Sequence, residues 1–137
     1  MAGSPGTPLT QKLGIRAGAR VALVHAPDGF EDQLGALPPD VVLCRQARAP
    51  LDVVVLFVTR RSELERRFPR LARALVPAGG LWVAWPKRAS CVVTDLHFEP
   101  VQRIGLDAGL VDNKVCAIDD TWSALRFVVR AADRARR

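Results

Sequence analysis

At 137 residues, with 49% hydrophobic and 25% charged content, the chain is the size of one domain and has an ordinary globular composition. Its longest apolar run is opened by Asp52 and closed by Arg60, too short to span a membrane, and its first residues lack a signal-peptide pattern, so a cytoplasmic protein is expected. Net charge is +6, with 17 arginines against 3 lysines, but no zinc-finger, RNP-like or basic–aromatic pattern accompanies it, which argues against a dedicated nucleic-acid reader.

In chain order, residues 1–7 read as a disordered start by composition, and 8–13 as a short helix stopped by Gly14. Arg20 to Ala26 is a strand. Asp28 then stands as an N-cap with Glu31 at N3, and Phe30, Leu34 and Leu37 make the inner stripe of a helix that Pro38-Pro39 ends. Val41 to Arg45 is a second strand. The next strand, Leu51 to Val58, is a nearly unbroken β-branched run, which predicts burial on both faces in a parallel sheet. The join between these two strands spans only about 17 Å fully stretched. The earlier strand is therefore expected to be a short edge strand, with its direction open.

Ser62 and Glu65 have the spacing of a capping box, and Leu64, Phe68, Leu71 and Leu75 give a single helical stripe. Pro77-Ala-Gly-Gly80 ends that helix, and Leu81 to Trp85 is the next strand. Arg88 to Thr94 reads as a loop. Pro100 suits a first helical position, with Val101, Ile104 and Ala108 facing inward, Gly105 weakening the helix and Gly109 ending it. Leu110 to Ile118 and Ser123 to Arg130 are strands joined by too short a turn for a crossover, so they pair antiparallel or lie two strands apart. Residues 8–130 form a single domain and 131–137 a basic tail, helical or frayed. The architecture expected is α/β: a Rossmann-like three-layer sandwich whose mostly parallel sheet ends in an antiparallel strand.

The order of these elements, with Leu75-Val-Pro-Ala-Gly-Gly80 before a strand, resembles a truncated class I S-adenosylmethionine-dependent methyltransferase core, with a strand–helix unit missing between Val41 and Leu51. Gly79 to Ser90 (GGLWVAWPKRAS) and Gly109 to Phe127 (GLVDNKVCAIDDTWSALRF) also resemble the signatures of a small bacterial family labelled as a domain of unknown function. Arg88 and Ala124 stand where that family would more often have lysine and glycine. This second resemblance implies kinship and no activity.

A methyltransferase or dinucleotide enzyme needs a glycine-rich turn after its first strand. Here the turn is His25-Ala-Pro-Asp-Gly-Phe30, with one glycine, a proline lacking an N–H, and Asp28, Glu31 and Asp32 to repel an anion at the helix start. The end of the second strand offers Arg45 and Gln46 in place of a ribose-binding carboxylate. No cofactor is expected. No metal is expected either, since His25 and His97 lack zinc spacing and Cys44, Cys91 and Cys116 read as reduced, mostly buried thiols. Cys116 reads as packing within a strand.

Open α/β sheets bind ligands beyond the carboxyl ends of their parallel strands. That edge should gather Asp28, Thr59, Arg60, Trp85, Lys87, Arg88, Asp119 and Trp122, as a small pocket or as a latch pinning the last hairpin, with a Lys87–Asp119 ion pair at its centre. Asp112, Asn113 and Lys114 read as capping and turn residues. Three functions are consistent with this. The first is a non-catalytic methyltransferase-like module acting through a protein partner or a homo-oligomer. The second is a small enzyme or anion binder with a rebuilt pocket at this edge. The third is weak nucleic-acid association through an arginine face, Arg60, Arg61, Arg66, Arg67, Arg70 and Arg73 on one helix, with non-specific polyanion binding at low salt.

Overall fold

The computed structural model describes residues 7–137, so all of the expected disordered start but Thr7 lies outside the described residues. Six strands form one sheet: β1 (Arg20–Val24), β2 (Val42–Cys44), β3 (Leu51–Phe57), β4 (Leu75–Pro86), β5 (Leu110–Ala117) and β6 (Trp122–Val129), in the order β2-β1-β3-β4-β6-β5. The first four are mutually parallel, whereas β6 runs antiparallel to β4 and β5 antiparallel to β6. β3 takes an inner position, and all of it but the half-buried Asp52 is buried. Its apolar run, unbroken from Val53 to Phe57, is what a strand covered on both faces requires.

Four helices supply the outer layers: α1 (Leu9–Lys12), α2 (Phe30–Leu34), α3 (Arg61–Ala74) and α4 (Phe98–Asp107). On one face Leu64, Phe68 and Leu71 of α3, with Val101 and Ile104 of α4, pack on Val54, Leu56, Leu81 and Val83. On the other, Leu13, Phe30 and Leu34 pack on Val55, Phe57 and Trp82. The second layer is thin, because α1 has four residues and α2 five. Among the described residues, no helix is long and apolar enough to cross a membrane.

The short join is accommodated because β2 and β3 both pair with β1 and not with each other. β2 is the edge strand expected, three residues long and parallel to β1. Cys44 lies level with Ala22, and Val53 with Val21, so the chain falls back only a few residues while passing β1. It does so without a helix, and only Cys44 and Ala47 of that stretch pack on the core.

Several local expectations are corrected. The Ser62 capping box does not form: Arg60 is the N-cap of α3, and Asp95 Oδ1 accepts the Arg61 N–H at 2.7 Å. Asp28 is not a cap, since α2 starts after Gly29 in the left-handed region (φ 84°), and it stops at Leu34, leaving Leu37 exposed. Leu75 belongs to β4, as do Pro77–Gly80, where the register jumps from Leu51–Leu75 to Val53–Gly80. α4 starts at Phe98, ahead of Pro100, and Ala108 is its exposed C-cap. Arg88–Ser90 forms a 3₁₀ turn. Asp112, Asn113 and Lys114 lie inside β5, with the register shift at Asn113. Ala131–Arg136 is 3₁₀, and the Arg137 guanidinium donates to the carbonyls of Ala72 and Leu75 at the end of α3. Cys116 is buried, Cys44 half-buried and Cys91 exposed.

Candidate functional site

The carboxyl ends of β1, β3 and β4 share one edge, but the residues expected there do not converge. Trp85 pairs with Ser123 and Pro86 with Trp122, so by strand alternation the two indoles point to opposite faces of the sheet. Trp85 is buried and meets Phe98 of α4 edge-on at 6.5 Å, while Trp122 meets Phe57 in the other layer at 5.0 Å. Thr59 is engaged through its carbonyl, which accepts the Thr94 hydroxyl at 2.6 Å. Arg60 and Arg88 are exposed, and Asp28 belongs to a separate groove described below.

No ion pair joins Lys87 to Asp119 among the described residues. Asp119 turns inward on its own loop: Oδ1 accepts the N–H groups of Thr121 and Trp122, both at 2.8 Å, and Oδ2 accepts Gln33 Nε2 at 3.0 Å. Lys87 contributes its backbone N–H to Thr121 O at 2.7 Å. The turn before β6 is thus bonded to the end of β4 through the backbone and to α2 through the Asp119 carboxylate. Asp119→Ala should therefore lower stability by about 1–2 kcal/mol, whereas Lys87→Ala should change it by less than about 0.5 kcal/mol. Paired urea titrations of the two variants check this.

The turn after β1 forms a groove of about 360 Å³ running from Leu23 to Asp32. His25 sits at φ 58°, with its Nδ1 3.6 Å from Glu63 of α3. Across the groove Arg45, just past β2, pairs with Glu31 in the first turn of α2 at 3.2 Å. A larger groove of about 700 Å³ adjoins it, between α3 and the stretch that passes β1. Arg45 and Arg48 stand on one side of it and Arg66, Arg67, Arg70 and Arg73 on the other. A third, of about 640 Å³, lies by the amino ends of the strands and mixes Lys12, Arg16, Lys114 and Arg126 with Asp52. Burial, and then Arg134, lower the pKa of Arg126 from its ordinary value. Burial raises that of the Cys116 thiol more than the nearby lysines lower it, so this sulfur suits packing rather than nucleophilic attack. Among the described residues, no three His, Cys, Asp or Glu side chains gather as a metal would require.

No protein-family model and no curated protein sequence matches the chain, so the likeness to the small bacterial family rests on its two segments alone. Solved structures do match. A SAM-dependent methyltransferase from Aquifex aeolicus superposes with a TM-score of 0.56 at 16% identity, covering 87% of this chain and 86% of that one. The magnesium protoporphyrin IX methyltransferase of Synechocystis PCC 6803, with bound SAH, gives 0.56 at 10%, covering 88% and 78%. The pyocyanin biosynthetic protein PhzM gives 0.62 at 11%, covering 88% of this chain and 53% of its own. The chain has the methyltransferase fold. In that fold the 360 Å³ groove lies where the first strand meets its helix, the position at which α/β sheets of this kind take their ligands.

The arginine groove is half legible in the sequence, as an arginine face on one helix; the wall that Arg45 and Arg48 add opposite it is not. The local signal of that face is the spacing of Arg66, Arg70 and Arg73 at i, i+4 and i+7 on one helix. The opposing arginines come from a stretch whose path depends on the β2–β1–β3 pairing.

Proposed function

We propose that this chain is a methyltransferase-fold module that does not carry S-adenosylmethionine and acts through contact with a second copy of itself or another protein. The observation that carries this reading is the Arg45–Glu31 pair across the end of β1 and β2. A nucleotide-type cofactor needs free backbone donors after the first strand and a carboxylate near the end of the second for its ribose. Pro27 offers no donor, Gly29 is the turn's one glycine, and a guanidinium stands in the carboxylate's place. The pair is exposed, so it adds little to stability. Its weight lies in the sign of the charge at that point. These residues do not fit the cofactor, and no methyl-transfer step follows from them.

Contact through side chains is favoured over strand addition. β2 is three residues long, and β5 carries charges and an irregular register at Asp112–Lys114, both of which blunt a sheet edge. Exposed apolar side chains available for such contact include Val93 at 93%, Val115 at 57%, Val42 at 52% and Phe98, which meets Trp85, at 38%.

Thermal denaturation with millimolar S-adenosylmethionine and its demethylated product tests the reading. A ligand at one hundred times its Kd adds about 2.7 kcal/mol, which raises Tm by on the order of 10 °C for a chain of this size. No shift is expected, and a saturable rise of that order overturns the proposal. Light scattering then distinguishes a second copy from a different partner, as a multiple of the 14.9 kDa chain mass or the chain mass itself.

A further inference from the structure

The groove between α3 and the passage from β2 to β3 exists because that passage contains no helix. Six residues, 45–50, carry the chain past β1, and the flank of α3 that a crossover helix would cover stays open. Arginines fill the opening. Arg66, Arg70 and Arg73 span about 10 Å along one side of the helix, and Arg45 and Arg48 stand opposite. No carboxylate lines the groove. Arg45 and Arg67 are paired, to Glu31 and Glu63, but among the described residues Arg48, Arg66, Arg70 and Arg73 have no ion-pair partner. The third groove, by contrast, has Asp52 in its wall.

We propose that this groove binds an anion carrying several closely linked phosphates, of the polyphosphate type. Guanidinium groups gathered in one concavity repel each other, and a multivalent anion relieves that repulsion at every one of them. The guanidinium fork also matches phosphate oxygens two at a time, which a lysine cannot do. The arginines follow a line about two helical turns long, which suits a short run of phosphates better than a single one. No Phe, Tyr or Trp lines the groove, so a nucleobase could stack there only on His25 at its end or on a guanidinium, and affinity for single-stranded nucleic acid would rest mainly on its phosphates. A duplex would lie across a 700 Å³ recess without entering it.

The experiment is calorimetric titration of the full chain at about 150 mM salt, with tripolyphosphate, longer inorganic polyphosphate and inositol hexakisphosphate as separate arms. These arms distinguish an inorganic chain from a phosphorylated small molecule, and saturable binding of any of them is expected. Arg66→Glu/Arg70→Glu should weaken it by about tenfold or more, through loss of two charge-assisted partners. Arg103→Glu/Arg136→Glu makes the same change in net charge at exposed positions outside the groove, and should cost less than about threefold. Arg48→Glu/Arg73→Glu is the second groove variant, and circular dichroism melting confirms that each protein is folded. The proposal is overturned by absence of binding at that salt, or by equal losses in groove and control variants. Tighter binding of an oligouridylate with the same number of phosphates also overturns it, because the surface would then be reading nucleic acid.

Discussion

Trp82→Ala should be the most damaging single substitution in the thin layer, lowering the unfolding free energy by about 3–5 kcal/mol. Trp82 has no exposed surface, and it packs under Leu13, Ile15 and Phe30 on the face that α1 and α2 cover. A helix of four residues cannot hold itself in water. α1 and the turn after it are held instead by Leu13, whose side chain packs in this layer and whose carbonyl accepts the indole Nε1–H at 3.0 Å. Trp82→Phe keeps most of the apolar volume and leaves that carbonyl unpaired, which costs about 1–3 kcal/mol. The difference between the two variants therefore separates packing from hydrogen bonding. Urea unfolding measures both, and hydrogen exchange should show residues 9–15 losing protection first in Trp82→Phe. A phenylalanine variant as stable as the parent would remove the hydrogen bond from the account of how this layer is held.

The parts of the fold that were legible are those whose cause is local. The run Leu51–Phe57 has no polar residue on alternate positions except Asp52, so it could only be a strand covered on both faces. Leu64, Phe68 and Leu71 repeat at the helical period and lie buried on one side of α3. The final strands had to turn back because the residues between Ala117 and Trp122 are too few for a crossover. What was not legible depends on partners far along the chain. Asp95 caps α3 from 34 residues away, which no capping box spacing could reveal. Whether Trp85 and Trp122 share a face depends on the β4–β6 register, and a shift by one residue would have brought them together. Asp119 could face Lys87 or its own turn, and the two N–H groups of Thr121 and Trp122, fixed by the turn itself, are what it faces. Gly29 shows the intermediate case: a glycine in the right place for a tight turn, with Pro27 and the surrounding carboxylates already arguing against a phosphate there.

Gly105→Ala is the substitution for which local and tertiary physics disagree most. By helix propensity alone alanine should stabilise α4 by up to about 1 kcal/mol. A methyl group at this position, however, would overlap the ring of Phe127. That ring has no exposed surface, and it packs edge-on against Phe68 with centroids 5.1 Å apart. It therefore has little room to swing aside, and overpacking of this kind costs about 1–3 kcal/mol. The packing term should win, leaving Gly105→Ala less stable than the parent by about 1–2 kcal/mol once the propensity gain is offset. Gly105→Ala combined with Phe127→Leu removes the ring that clashes. The double variant should lose less than the sum of the two single changes, with a coupling of about 0.5–3 kcal/mol. Additive losses would mean that the helix adjusts freely over β6. Measured coupling would mean that the glycine, which weakens the helix as a sequence, is there to let α4 lie close against Phe127.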